Sequence, residues 1–99
     1  MDKVIQVTNK DKEDGIASNC YECPIALAII RRVKPGVKIR VGAFGGVVQF
    51  EYSDPNSDKV YTNQSFLPGK AIDWYTDFDC GFNMRNIRFT VDIPEWATK

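Results

Sequence analysis

Apolar and polar residues alternate strictly from Val37 to Val41, so that Val37, Ile39 and Val41 share one face while Lys38 and Arg40 take the other. A period of two describes a strand with one buried face and does not fit a helix. The pattern recurs along the chain. Lys3–Thr8 sets Ile5 and Val7 against Val4, Gln6 and Thr8, and Val47–Tyr52 places Val48, Phe50 and Tyr52 on one side. Asn86–Ile93 sets Ile87, Phe89, Val91 and Ile93 against Arg88, Thr90 and Asp92. Between the two central runs, Gly42-Ala43-Phe44-Gly45-Gly46 reads as a turn, because glycine readily supplies positive φ. Ser53–Asp58 (SDPNSD) is a second turn signal, after which Lys59–Asn63 can add a third meander strand.

Two stretches follow a helical period instead. Pro24 suits a first helical position, and apolar residues then continue to Val33, with Ala26, Ile29, Ile30 and Val33 as the clearest stripe. Arg31, Arg32 and Lys34 are expected in its last turn, where positive charge meets the negative end of the helix dipole, before Pro35-Gly36 stops it. A second helix is expected from Pro68 to Asp79, burying Ala71, Trp74, Tyr75 and Phe78 beside Ile72, with Gly81 just past its end. Lys10–Asp14 can form one helical turn ended by Gly15. The expected order is β-α-β-β-β-α-β: an α+β two-layer sandwich with two helices on one face of a largely antiparallel sheet. A ferredoxin-like arrangement is one variant. No repeat or linker divides the chain, so residues 1–99 are expected to form a single domain.

Composition narrows the chemistry. Thirteen Lys and Arg balance thirteen Asp and Glu, which argues against a non-specific polyanion binder and equally against an acidic DNA mimic. The chain has no His, so Ser-His-Asp, Cys-His and His-ligated metal mechanisms are excluded. Met1–Lys12 lacks the apolar core of a secretory signal, and Pro24–Ile30 is far shorter than the roughly 20 residues of a membrane span. Three cysteines, Cys20, Cys23 and Cys80, are few and odd in number for a disulfide scaffold. A cytoplasmic protein with free thiols and no membrane partner is expected.

The segment Cys20-Tyr21-Glu22-Cys23-Pro24-Ile25-Ala26-Leu27-Ala28-Ile29 resembles the C-x-x-C-P-[IV]-A-L-A-[IL] segment of short, uncharacterised proteins encoded by phages and prophages. Ile5-Gln6-Val7-Thr8 is similar to their first strand, and Leu67-Pro68, Trp74, Phe78-Asp79 and Gly81 to their Leu-Pro helix. Phe89-Thr90-Val91 is similar to their closing strand. The resemblance implies a phage accessory protein and brings no established activity with it. The longer Ser53–Gln64 meander departs from the pattern.

Several constellations could carry chemistry. A thiolate at a helix start is stabilised by the dipole, so Cys23 could have a lowered pKa; the plainer reading is that Cys23 caps the helix while Cys20 tucks under the loop. Cys20, Cys23 and Cys80 are candidates for a zinc site that would need an Asp, such as Asp77 or Asp79, as fourth ligand. Lys38, Arg40 and Arg88 would form a basic platform on the polar sheet face, against a plain solvated face as the alternative. Gly42–Gly46 matches no nucleotide-binding loop, and no cofactor is expected, although Phe44 there could anchor a partner. Trp74, Tyr75 and Phe78 read as core rather than a ligand cage, and Trp96 either covers the core's edge or stays exposed.

The absence of a catalytic signature points to a non-enzymatic binding module that occupies a host protein, with a contact surface at Phe44, Tyr61 and the Ser53–Gln64 meander. The resemblance makes interference with host metabolism or antiviral defence, including CRISPR inhibition, an expected role. Three alternatives stay open: nucleic-acid binding through Lys38, Arg40 and Arg88; thiol or zinc chemistry at the cysteines; and homodimerisation through the third meander strand, since strand edges can pair with another chain.

Overall fold

Residues 1–42 and 46–99 are described by the computed structural model. Among these residues nine elements follow in order: β1 (Asp2–Gln6), α1 (Asn9–Asp14), α2 (Pro24–Ile30), β2 (Lys38–Val41), β3 (Val47–Ser53), β4 (Val60–Phe66), α3 (Gly69–Asp79), β5 (Arg88–Asp92) and a 3-10 turn at Glu95–Ala97. The class is α+β, and every strand pairing is antiparallel. The strands do not share one sheet, however. β1 pairs with β5, while β2, β3 and β4 form a separate meander. Alternation reveals which face of a strand is buried but not which strand lies beside it, so β5 could not be assigned a neighbour from sequence.

The two ends of the chain are zipped together. Lys3 opposes Val91 and Ile5 opposes Phe89, and the ladder is extended by Val7 N–H donating to Ile87 O (2.9 Å) and Ile93 N–H to Met1 O (2.9 Å). The sheets meet where the Ser65 hydroxyl donates to Asp92 O at 2.5 Å. One cluster of buried apolar side chains runs from Ile5 to Ala97 and joins both sheets with α2 and α3. Ile5, Val48, Phe50, Phe89 and Val91 are inward members of the alternating runs, as their spacing predicts.

Local chemistry explains the helices. Thr8 caps α1 in a capping box, its side chain accepting from Asp11 N–H while the Asp11 carboxylate accepts from Thr8 N–H at 2.8 Å. Cys23 caps α2, its Sγ accepting from Ala26 N–H at 3.4 Å, and Pro24 occupies the first turn. The helix stops at Ile30 rather than Val33, and Ile30 faces solvent instead of joining the buried stripe. Arg31 therefore lies beyond the helix and does not serve its dipole. Both of its Nη atoms donate to the Asp11 carboxylate, and Nη2 also reaches Gln6 O at 2.9 Å.

In α3, Ala71, Trp74 and Tyr75 are buried and Phe78 stacks on Trp74 with ring centroids 5.5 Å apart. Trp74 Nε1 donates to Arg85 O (2.7 Å) and the Tyr75 hydroxyl to Gly42 O (3.0 Å), so both rings bury their bodies and satisfy their polar tips. Gly46 is required where β3 begins: its φ is +65°, and a Cβ there would lie 2.5 Å from the Ile72 side chain. Gly81 follows α3 with φ +91°. Among the described residues, no helix is long and apolar enough to cross a membrane.

Candidate interaction surface

The outer face of the β2–β3–β4 sheet is read directly from its register. Lys38 stands opposite Glu51, which stands opposite Thr62; Arg40 stands opposite Gln49, which stands opposite Gln64. Val47 opposes Phe66 and Ser53 opposes Val60 at the two ends. The centre is thus polar with mixed charge, and β4 carries an apolar residue at each end. Val60 and Phe66 are 59% and 69% exposed. Tyr21, also exposed, joins Lys38, Arg40, Gln49 and Glu51 around an open depression of about 530 Å³. Tyr21 reaches this face because the 15–23 loop is tied to the sheet by Val41 N–H donating to Cys20 O at 2.8 Å.

The basic platform expected from sequence is not assembled. Lys38 and Arg40 lie on β2, whereas Arg88 lies on β5 in the other sheet, beside a separate hollow lined by Val4, Pro68, Lys70, Phe89 and Thr90. The cause is the pairing of β5 with β1, which takes Arg88 out of the meander. Tyr61 is half-buried on the inward side of β4. It sits between Tyr52 (6.4 Å between centroids) and Trp96 (5.6 Å), with Lys34 Nζ 4.1 Å above the Tyr52 ring. Trp96 thereby covers the core's edge. Phe44 lies outside the described residues.

The cysteines are separated by role. Cys23 is buried, and burial pushes its thiol above the ordinary value despite the helix-start N–H groups that favour the thiolate. The expectation of a lowered pKa is thus corrected: desolvation outweighs the short helix. Cys20 is half-buried, Cys80 is exposed, and all three thiols are free. Cys20 and Cys23 line a cavity of about 90 Å³ with Ser18, Asn19, Val41, Tyr75 and Asp79. That volume suits a few waters rather than an organic substrate, for which pockets run to roughly 300–1,000 Å³. Asp79 helps hold the wall in place, its carboxylate accepting from Ser18 N–H at 2.9 Å. Among the described residues, no group of three or more Cys, Asp or Glu side chains is placed to hold a metal ion.

Two features escaped the sequence reading. The Asp11–Arg31 pair joins α1 to the end of α2: burial pushes the Asp11 carboxyl up, but hydrogen bonds from Arg31 and from Thr8 N–H outweigh this and hold it below its ordinary value. The same bond raises Arg31. The second feature is the length of β4, expected to end at Asn63 yet continuing through Phe66. The signal was present, since Val60, Thr62, Gln64 and Phe66 continue the period of two. Comparison of the chain with known protein families, with curated proteins and with solved structures finds no match.

Proposed function

We propose that this protein acts by binding rather than by turnover, as a small phage-type accessory protein that docks on a host protein and interferes with a host process such as antiviral defence, CRISPR immunity included. The phage assignment rests on the Cys20–Ile29 segment and its companion motifs. The binding assignment is carried by the outer face of the β2–β3–β4 sheet, where exposed Tyr21 flanks Arg40 and Lys38 beside Glu51. Aromatic residues and Arg are enriched at protein interfaces, and mixed charge selects a protein surface over a uniform polyanion. Separation of Arg88 from Lys38 and Arg40 weakens the nucleic-acid reading, and a capping, buried Cys23 weakens the thiol reading.

Affinity capture from nuclease-treated host lysate tests this. A stoichiometric host protein is expected, and its recovery should fall at least about tenfold with Tyr21→Ala plus Arg40→Glu, the loss of a typical interface anchor. Recovery only through nucleic acid, or recovery indifferent to both substitutions, would overturn the reading.

A further inference from the structure

The free edge of β4 has a self-complementary register. β4 borders β3 on one side and pairs with no strand on the other among the described residues. Leu67 N–H donates to Gly46 O (2.8 Å) and Asp54 N–H to Lys59 O (3.1 Å), which fixes the phase of the antiparallel ladder between them. In that phase Tyr61, Asn63 and Ser65 turn their backbone groups toward β3. Val60, Thr62, Gln64 and Phe66 turn theirs to the open side. Gln64 N–H confirms the direction, since its partner is the Asn63 side chain (2.8 Å) and not β3.

A second β4 laid antiparallel across a two-fold axis at Asn63 sets Val60 against Phe66 and Thr62 against Gln64. Every residue that turns its backbone groups outward then meets another that does so, as a hydrogen-bonded pair requires, with Gln64 N–H exchanging the Asn63 side chain for Thr62 O of the second copy. Both exposed apolar residues of the strand also meet each other, once on each side of the axis, and Val47 opposite Phe66 extends each apolar row. No charge lies between Val60 and Phe66, so nothing repels at the seam, and the strand carries no Lys or Pro of the kind that guards exposed edges. The contact of β4 with β5 at Ser65 is made by the buried side chain, while Val60 and Phe66 at the two ends of the strand stay exposed.

We infer that this chain forms a symmetric homodimer by antiparallel β4–β4 pairing centred on Asn63, giving a continuous six-stranded sheet. In the dimer the row Lys38, Glu51, Thr62 of one copy continues into Gln64, Gln49, Arg40 of the other, so the outer face doubles. Lys38 and Arg40 stay outside the seam, and the inference does not depend on the partner-binding reading.

Sedimentation equilibrium gives the first readout: a mass rising from 11.2 kDa toward twice that value with concentration. Thr62→Pro removes an outward N–H without touching the β3 ladder and should hold the mass at the monomer value while circular dichroism is retained. On a Cys80→Ser background, Asn63→Cys should cross-link to itself under mild oxidation far faster than Thr62→Cys, because only residue 63 faces its own copy in a close non-hydrogen-bonded pair. A monomer at all concentrations to about 1 mM, the weak limit of useful affinity, would overturn the inference. So would a dimer that survives Thr62→Pro, or cross-linking no faster at 63 than at 62.

Discussion

The two sheets protect their strands differently. β1 and β5 carry Asp2, Arg88 and Asp92 at outward positions, and the N-terminal ammonium clamps Asp92 at 2.5 Å. β4 is seven residues long and uncharged throughout. Short charged strands resist pairing with a foreign edge, because a new neighbour must bury or match each charge. A long neutral strand presents no such obstacle. The contrast teaches that the same alternating pattern can build a closed surface or an available one, depending on what occupies the outward half of the alternation.

The inner halves, by contrast, should behave alike. Phe50 from the meander and Phe89 from the terminal sheet belong to one buried cluster. Each truncation to Ala should cost about 3–5 kcal/mol, read as a lowered denaturation midpoint with cooperativity kept. Loss of only one sheet in either variant would break the comparison into two independent cores. A smaller effect is expected where α1 meets the end of α2. Arg31→Ala leaves the buried Asp11 carboxylate with its capping bonds but no cation, for about 1–3 kcal/mol.

That pair also predicts a pH dependence. The Asp11 carboxyl is held below its ordinary 3.8 in the fold, so the unfolded chain binds its proton more tightly than the folded one. The stabilisation is complete above the unfolded value and is lost as pH falls through the folded value. Asp11→Asn should flatten this part of the acid limb in denaturant titrations as pH falls below about 5; an unchanged slope would show that Asp11 is not the responsible group. The smallest effect belongs to Gln64→Lys, which puts on β4 the kind of charge that β5 already has. Thermal denaturation of dilute monomer should change by no more than about 0.5 kcal/mol, since the side chain is exposed. A larger change would mean the outer face of β4 is already covered.

Much of the local structure was legible beforehand for a physical reason: alternation and helical spacing report burial residue by residue. Ile39 and Val41 face inward, Lys38 and Arg40 outward, and Trp74 and Tyr75 pack in the core as their spacing requires. Helix ends were harder. Arg31 reads as a dipole partner until Asp11, twenty residues earlier in the chain, is brought beside it. Cys23 shows the same limit, because its helix-start position suggests a favoured thiolate and only its depth of burial reverses the sign.

What the amino-acid order alone determined is therefore the strands and the helices at Pro24 and Pro68 with the inward members of their patterns, but not where α2 and β4 end or that Ile30 turns outward. Tertiary structure alone decided that β5 joins β1, that Arg88 parts company with Lys38 and Arg40, and that β4 has a strand neighbour on one side only among the described residues. The reason is the range of the interactions. Side-chain periodicity is set by neighbours a few bonds away, whereas strand pairing depends on which distant segments can close a core together, and no local pattern encodes that choice.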